Sequence, residues 1–190
     1  IIYYVKTVLG EDEIRTNGNI AVSKLGNIVF AKNVLPEEEF KDKVMYISSN
    51  LEIKSYTGEK ENFFKGENIK YPNALFERLN CKSGLGKNSC IGLEFEIELA
   101  GFEEKEFVIV MGAEDESNGL KSKAEYYVDV NKATSELENI QNKWQDTLGS
   151  LNIKTPCKEL DIMVNGWIPY QTISSRIWGK TGYYQSGGAY

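Results

Sequence analysis

The spacing of hydrophobic residues changes once along this chain, near residue 131, and that change limits the folds it can adopt. From residue 91 to residue 99, apolar residues alternate with glycine and glutamate, a period of two that is typical of a strand with one buried face. Beyond residue 131, apolar residues recur every three or four positions, as on one face of a helix: Ala133, Leu137, Ile140, Trp144 and Leu148. The sequence therefore predicts a mainly β region to about residue 128, followed by helices.

Other short apolar runs before residue 128 are separated by turn residues and predict further strands. Gly26 and Asn27 can close a hairpin, because both residue types tolerate a positive φ. The run at 104–112 lacks strict alternation, which favours a strand covered on both faces. Residues 50–90 are instead rich in Gly, Asn, Ser and aromatic side chains, and predict a long loop that is either partner-facing or simply packed. The predicted strands are 20–23, 28–31, 44–48, 91–99 and 104–112.

Two helices are predicted after residue 131. Ser135 and Glu138 form a capping-box pattern at the start of the first helix, and Gly149 stands where a C-terminal cap belongs. Thr155 is expected as the N-cap of the second helix, with Pro156 at its first position. Pro169 removes one helical hydrogen bond and should bend or divide this helix near residue 165. The predicted division is a β domain at 1–128, a helical linker at 129–154 and the start of a helical domain at 155–190.

Composition excludes several kinds of chemistry and partner. The chain has 190 residues, no histidine, 22 basic and 28 acidic residues and a net charge of -6. A histidine-dependent nucleophile, a histidine-ligated zinc and an imidazole acid or base are therefore excluded within it. The acidic balance argues against binding to nucleic acid or to an anionic membrane surface. No apolar run approaches the roughly 20 residues of a membrane span.

The cysteines and the two ends of the chain add two expectations. Cys81, Cys90 and Cys157 are an odd number at unrelated spacings and favour reduced thiols in a cytoplasmic protein. The chain opens on the strand-like Ile-Ile-Tyr-Tyr-Val and closes on a glycine-rich turn. Both ends predict a segment of a longer protein.

The densest candidate for function is the C-terminal run at 178–190. Its Trp, three Tyr, Gln and glycines are residue types that stack on sugar rings and meet hydroxyl groups, although the same aromatic residues can simply pack. It contains no phosphate-binding loop and no dinucleotide fingerprint. Arg176 lies just before this run, where its guanidinium could hold a hydroxyl or a carboxylate, or form a buried salt bridge. The glutamate-rich stretches at 94–98 and 103–106 are interpreted as solvated faces.

The predicted helices and the run that follows them carry three longer motifs. They are Trp-Gln-Asp-Thr-Leu-Gly at 144–149, Met-Val-Asn-Gly-Trp-Ile-Pro-Tyr-Gln-Thr at 163–172, and Ser-Arg-Ile-Trp-Gly-Lys-Thr-Gly-Tyr-Tyr-Gln-Ser-Gly-Gly-Ala-Tyr at 175–190. These motifs resemble those of glycoside hydrolase family 94. Softer matches at 55–60, 72–75 and 90–93 look most like the branch that acts on β-1,2-glucans. The family's cellobiose phosphorylases carry an additional sugar-binding Arg in the segment that corresponds to 187–189. Its absence here disfavours cellobiose as the substrate.

The resemblance implies a fold and a reaction. The fold is a large antiparallel β-sandwich, or supersandwich, followed by a helical linker and the first helix of an (α/α)6 barrel. Family members cleave a β-glucosidic bond with inorganic phosphate and invert the anomeric centre, while a carboxylic acid protonates the leaving oxygen. In the family that acid and the phosphate-binding residues follow the segment that corresponds to residue 190. This chain is therefore expected to be an inactive fragment of an enzyme that needs no cofactor besides phosphate as co-substrate.

The resemblance also implies partners and contact residues. The expected partners of the parent are a β-glucan oligosaccharide and a second copy of itself. A free phosphorylase would be cytoplasmic, whereas a parent cyclic glucan synthase would be membrane-associated. An alternative is a noncatalytic β-sandwich module for carbohydrate binding or dimerisation. The candidate substrate-binding residues are Arg176, Trp178, Tyr184, Gln185, Gly187 and Gly188.

Overall fold

The computed structural model describes residues 1–10, 12–36, 41–66, 69–83, 88–115 and 119–179. Within these residues it contains two antiparallel sheets, one of three strands and one of four. The first sheet has the order β1-β6-β5 and the second β2-β3-β4-β7. The strands are β1 Ile2–Lys6, β2 Ile20–Leu25, β3 Ile28–Asn33, β4 Lys43–Ser49, β5 Ile53–Glu59, β6 Ser89–Phe95 and β7 Ile109–Asp115.

Buried side chains from both sheets form one hydrophobic cluster, because each strand turns apolar residues toward the other sheet. The members of this cluster are Ile20, Val22, Val29, Ala31, Ile47, Ile53, Ile91, Leu93 and Phe95. The fold is therefore mainly β, as the alternation of hydrophobic residues predicted, with a helical part that follows the sheets.

The predicted hairpin is confirmed. Strands β2 and β3 pair from Leu25 opposite Ile28 outward, and Gly26 has a φ of 58°, a conformation that glycine adopts without steric cost. The strand predicted at 44–48 is also present, as β4. Turn chemistry and alternation are local properties, and here they were sufficient.

The prediction for 91–99 was wrong in two respects. The strand is β6, which ends at Phe95, and the residues that follow are not in a strand. It was also expected to have one solvated face, but Gly92 is buried and the Glu94 side chain is only 25% exposed. The reason is that the Phe63 ring lies against Gly92, while Ser55 and Arg78 contact the Glu94 carboxylate.

The strand predicted at 104–112 was expected to be covered on both faces, and it proved to be shorter at its start and less buried than that. The strand is β7, which begins at Ile109 and pairs with β4 at one end of the four-stranded sheet. Its residues are half-buried or exposed, and Met111 is 57% exposed. An apolar run can therefore lie at a sheet edge as well as between two covered faces.

Regular structure also occurs where loops or strands were predicted. Strand β5 and helix α2 (Lys60–Phe64) lie within the supposed long loop at 50–90, together with a short 3₁₀ turn at Asn73–Leu75. Helix α3 (Leu120–Tyr127) ends the β region, and its buried Leu120 and Ala124 pack against Val44 and Tyr46 of β4. Tertiary packing, rather than local pattern, stabilises these elements. A first helical turn, α1 (Glu13–Thr16), connects β1 and β2 and is capped by the Asp12 carboxylate.

Helix α4 (Val130–Leu148) confirms the helical stripe but begins earlier than predicted. The Asp129 carboxylate accepts a hydrogen bond from the Lys132 amide, which makes Asp129 the N-cap and leaves Ser135 inside the helix. Gly149 follows the last helical residue, as predicted. A Cβ atom added there would lie 2.6 Å from the Gln145 carbonyl oxygen, so only glycine fits without a shift.

The second helix begins at Lys158 and continues to Trp178 in four consecutive segments. They are α5 (Lys158–Ile162), a π-helical segment (Met163–Trp167), α6 (Ile168–Thr172) and a second π-helical segment (Ile173–Trp178). The start at Thr155 was wrong: its hydroxyl accepts from the Cys157 amide and donates to Asp161, just before the helix. The irregularity predicted from Pro169 is the first π-helical segment, where a widened turn precedes the proline.

The chain divides into two compact units, residues 1–133 and residues 134–190. Both sheets lie in the first unit, and most of α4 with the helix at 158–178 lies in the second. Among the described residues no helix is long and apolar enough to cross a membrane.

Candidate functional site

Aromatic side chains from α4 and from the helix at 158–178 meet in the second unit. The rings of Trp144 and Trp178 are 5.4 Å apart and nearly perpendicular, at 85°. Tyr170 lies 6.5 Å from Trp144 and 6.3 Å from Trp167. We call these four residues the aromatic cluster. Edge-to-face pairs at such distances are favourable beyond the area they bury.

Much of the aromatic cluster is exposed. Trp178, Trp167 and Tyr170 are 60%, 55% and 42% exposed, and none of the described residues of this unit is buried. Exposed indole and phenol faces are surfaces on which the C–H face of a sugar can stack, and they are equally surfaces on which protein can pack. The cluster therefore offers an accessible aromatic wall.

Reciprocal hydrogen bonds hold the segment between α4 and the next helix. The Ile153 amide donates to Asn165 Oδ1 at 2.8 Å, and Asn165 Nδ2 donates to the Ile153 carbonyl at 2.9 Å. Thr155 is held in a similar way, since its amide and its hydroxyl both donate to Asp161 Oδ1 at 2.9 Å. These contacts fix the path of the chain against the helix that carries Trp167, Tyr170 and Trp178.

The predicted site residues divide into two groups. Arg176 and Trp178 lie together, both exposed, in the last turn of the helix. That turn closes when the Gly179 amide donates to the Ser174 carbonyl at 2.8 Å. Tyr184, Gln185, Gly187 and Gly188 lie outside the described residues. The structure thus brings Trp178 to Trp144, and the positions of the four later candidates stay predictions.

Sequence reasoning did not assign Trp144, Trp167 and Tyr170 to the site. All three had been recognised as members of helical stripes and of the motifs that carry the family resemblance, without a role as contact residues. The spacing of Trp167 and Tyr170, three residues apart, placed both on one helix face. Nothing local indicated that Trp144, on another helix, would meet Trp178.

Two of the described glutamates are held by neighbouring side chains. Glu94 was interpreted as solvated, but it accepts a hydrogen bond from the buried Ser55 hydroxyl and lies 3.8 Å from Arg78 Nε. A hydrogen bond from Lys123 holds the pKa of Glu114 below its usual range. These carboxylates are bound in structural contacts. The described residues also contain no group of three or more Cys, Asp or Glu that could hold a metal ion.

The β unit carries a shallow surface cleft. Its lining includes Tyr4, Lys60, Asn88 and the ion pair of Lys6 with Glu13. Desolvation raises the pKa of Tyr4 to about 12, with smaller contributions from Cys90 and Glu13. The phenol is therefore neutral at physiological pH and can only donate or accept hydrogen bonds.

The motifs predicted a carbohydrate-active protein. The structure agrees with that class, since it has a sandwich followed by helices that expose an aromatic wall. The family model described as the glycosyl hydrolase 94 supersandwich domain matches residues 1–130. A second model, the catalytic domain of the glycosyl hydrolase 94 superfamily, matches residues 143–190. The chain belongs to glycosyl hydrolase family 94, which confirms the resemblance.

Three relatives are similar over most of this chain. The cyclic β-(1,2)-glucan synthase NdvB of Rhizobium meliloti (strain 1021) is 23% identical over 155 residues, which is 80% of this chain and 5% of the synthase. The N,N'-diacetylchitobiose phosphorylase of Vibrio proteolyticus is 25% identical over 137 residues. That of Vibrio furnissii is 23% identical over the same length. The chain spans 17% of the length of each phosphorylase.

Proposed function

We propose that this chain is part of an inverting glycoside phosphorylase or glucan-synthase-type transferase that acts on β-glucans. The observation that carries the proposal is the match of one chain to both family domains, in the order sandwich then catalytic domain. The aromatic wall supports it, because it lies within the residues that match the catalytic domain. We further propose Arg176, Trp178, Tyr184, Gln185, Gly187 and Gly188 as part of the wall of the donor subsite.

The proposed reaction needs a proton donor and a nucleophile. A phosphate oxygen attacks the anomeric carbon from the face opposite the leaving oxygen, and a carboxylic acid protonates that oxygen. The products are an α-glycosyl phosphate and the shortened glucan. We assign the acid to no residue of this chain. In that scheme Trp178 stacks on the sugar ring, and Arg176 holds a hydroxyl group through charge-assisted hydrogen bonds.

We propose β-1,2-glucans as the substrate within this class. The softer motifs at 55–60, 72–75 and 90–93 support this choice, as does similarity to a protein named as a cyclic β-(1,2)-glucan synthase. Similarity to two N,N'-diacetylchitobiose phosphorylases makes that disaccharide the main competing substrate. A free phosphorylase of this kind would work in the cytoplasm, and a synthase would add membrane helices of its own.

The test is a phosphorolysis screen with the full-length parent protein. β-1,2, β-1,3 and β-1,4 glucosides and N,N'-diacetylchitobiose are each incubated with inorganic phosphate, and release of sugar 1-phosphate is measured. We expect turnover of the β-1,2 substrates. Turnover of N,N'-diacetylchitobiose alone would refute the proposed β-1,2 linkage. No turnover of any substrate, with or without phosphate, would refute the proposed phosphorylase activity.

The role of Trp178 is tested in the same assay. An aromatic stacking contact is worth about 0.5–1.5 kcal/mol beyond the area it buries, so Trp178→Ala should raise KM by roughly 2- to 13-fold, while Trp178→Phe should retain part of the affinity. Ile162→Ala is the matched control, because Ile162 is 71% exposed on the same helix and is proposed for no contact. Equal effects of the tryptophan and isoleucine changes would show packing rather than binding.

A noncatalytic carbohydrate-binding module remains the second candidate, because Trp167 and Trp178 expose their rings without any assigned acid. The two candidates differ in the 190-residue chain. As an enzyme fragment it should release no glucose 1-phosphate from sophorose oligomers or cellobiose. As a binding module it should still bind such oligomers in a calorimetric titration. An encoding reading frame that continues past residue 190 for hundreds of residues would favour the enzyme.

A further inference from the structure

Trp144 is the member of the aromatic cluster that lies on a different helix from the other three. It belongs to α4, whereas Trp167, Tyr170 and Trp178 belong to the helix at 158–178. The proposed sugar contacts include Trp178 and leave Trp144 without a role. The Trp144 ring nevertheless lies 5.4 Å from the Trp178 ring and 6.5 Å from the Tyr170 ring. Through this contact α4 can act on the side chain of Trp178.

The contact between Trp144 and Trp178 leaves room for a ligand. The two indole planes meet at 85°, so one ring presents its edge to the face of the other. Whichever ring supplies the edge, Trp144 covers at most one face of Trp178. The Trp178 side chain is 60% exposed, so indole surface remains accessible for a sugar to stack on.

The two tryptophans differ in how far their surroundings restrict them. Trp144 is half-buried, and it contacts both Tyr170 and Trp178. Trp178 is more exposed and stands at the end of its helix. Immobilising an exposed side chain when a ligand binds costs conformational entropy. A neighbouring ring that already holds the indole in one orientation lowers that cost, which is preorganisation.

The connection between the two helices is held by hydrogen bonds that involve neither tryptophan. The Asn165 side chain exchanges two hydrogen bonds with the backbone of Ile153. The amide and the hydroxyl of Thr155 both donate to the Asp161 carboxylate. A substitution at Trp144 therefore removes the ring contact and leaves these hydrogen bonds in place.

We propose that Trp144 is a positioning residue, which holds the Trp178 indole in the orientation that stacks on the sugar. The inference rests on the proposed function, in which Trp178 contacts the sugar ring. Trp144 itself touches no substrate in this arrangement and acts only through Trp178. A residue of α4, outside the proposed wall of the donor subsite, thus sets part of the affinity of that wall.

The first experiment measures the motion of the Trp178 side chain in the 190-residue chain, by ¹⁵N relaxation of its indole N–H. The three tryptophans give three indole signals, and Trp178→Phe identifies the signal of Trp178. We expect Trp144→Ala to lower the order parameter of this N–H on the ps–ns timescale, and Trp144→Phe to lower it less. Leu137→Ala is the control and should leave it unchanged, because Leu137 lies two turns away on α4 and is 56% exposed.

The second experiment is a double-mutant cycle in the full-length parent, assayed with phosphate and the substrate it turns over best, for which sophorose oligomers are expected. Trp144→Ala should raise KM by about 2- to 13-fold, the effect of one aromatic contact, and by no more than Trp178→Ala does. The kcat should stay within about twofold, since stacking holds the ground and transition states alike. The double variant should have the KM of Trp178→Ala alone, because Trp144 acts through that ring.

The split between KM and kcat separates positioning from a structural role. Loss of folded enzyme lowers the apparent kcat and leaves KM unchanged, whereas loss of a held stacking surface raises KM. Trp144→Phe should recover part of the KM, because it restores an aromatic edge. Leu137→Ala, the same control as in the relaxation experiment, should change neither constant.

Three results would overturn the positioning role. One is an order parameter of the Trp178 indole that does not respond to Trp144→Ala. Another is a KM that rises in Trp178→Ala and not in Trp144→Ala, or effects of the two changes that multiply in the double variant. The third is a KM unchanged by Trp178→Ala, which removes the proposed sugar contact as well. A parent that turns over no substrate refutes the proposed function, and the relaxation experiment then decides by itself whether Trp144 holds Trp178.

Discussion

At the scale of single residues, Asn27 combines a turn position with three side-chain hydrogen bonds. Its Nδ2 donates to the Ser49 and Leu51 carbonyls at 2.7 Å, and its Oδ1 accepts from the Ile53 amide at 2.8 Å. The residue was predicted only as half of a hairpin turn. In the structure it also fixes the connection between β4 and β5, and so links the two sheets through one carboxamide.

Replacing Asn27 should therefore be costly. Asn27→Ala removes three hydrogen bonds of about 1 kcal/mol each, so we expect the free energy of unfolding to fall by about 2–3 kcal/mol. Urea denaturation followed by far-ultraviolet circular dichroism measures this. Asn19→Ala is the control, because Asn19 makes one exposed bond of 3.3 Å to Arg15. A loss no larger than that of the control would show that the three bonds contribute little.

Cys90 gives a prediction of pH dependence. Burial, and to a smaller extent Glu59, raises the pKa of its thiol to about 12, whereas an unfolded thiol titrates at about 8.5. Between these values the folded chain holds the proton and the unfolded chain loses it, so stability falls as the pH rises above about 8.5. Below that pH the folded and unfolded thiols are both protonated, and the thiol adds no pH dependence.

The test compares unfolding free energies over the alkaline range. Cys90→Ala should lower stability at every pH, because it leaves a cavity, and should flatten the decline above about pH 8.5. Cys81→Ala, at an exposed thiol, should retain the decline. Parallel pH profiles for the wild type and Cys90→Ala would contradict the assignment. Tyr4, with its pKa also raised to about 12, adds a decline of the same sign that begins only near pH 10.

At the scale of elements, the contact between α2 and β6 depends on one glycine of the strand. Phe63 packs on Gly92, and its ring lies 5.0 Å from Tyr4 and 4.9 Å from Phe64. A Cβ atom at Gly92 would lie 2.6 Å from the Phe63 ring and 2.9 Å from the Thr57 methyl group. The helix can therefore cover this face of β6 only because the strand has no side chain there.

Gly92→Ala should consequently destabilise the β unit by about 1–3 kcal/mol, the usual cost of overpacking. Gly101→Ala is the matched control, since nothing lies within 4 Å of its added Cβ, and it should change stability by no more than about 0.5 kcal/mol. The double variant Gly92→Ala with Phe63→Leu should be less destabilised than the sum of the single changes. Strict additivity would mean that the two residues do not compete for space.

At the scale of the whole molecule, the two compact units differ in how much they bury. All the buried side chains of the described residues lie at or before Ala124, whereas the unit at 134–190 has an exposed aromatic cluster. Hydrophobic burial is the main stabilising term in folding. The β unit therefore has a core of its own, and the described part of the helical unit does not.

Unfolding should reveal this difference without any mutation. All three tryptophans, Trp144, Trp167 and Trp178, lie in the helical unit. Tryptophan fluorescence should therefore change at a lower urea concentration, and less cooperatively, than the far-ultraviolet signal of the sheets. A chain that stops at residue 133 should keep the later transition. Coincident transitions for both signals would show that the units unfold together.

The sequence by itself determined the features that depend on neighbouring residues. Turn chemistry at Gly26 located the hairpin, a short apolar run located β4, alternation located much of β6, and the helical period located α4. The motifs of 144–190 were sufficient to indicate the family, because their residues are contiguous in the chain. These successes have one physical reason: φ preferences, capping and amphipathic periods act over a few residues.

Only the tertiary structure decided which faces are covered and which residues meet. Gly92 was predicted to be solvated, but Phe63 packs against it. Strand β5 and helix α2 were predicted as loop, but β5 pairs with β6. Trp144 and Trp178 are 34 positions apart in the sequence and 5.4 Å apart in space. Between them, the Asn165 side chain holds the connecting segment at Ile153 through two hydrogen bonds. Burial and long-range contact depend on the summed packing of the chain, which no local pattern contains.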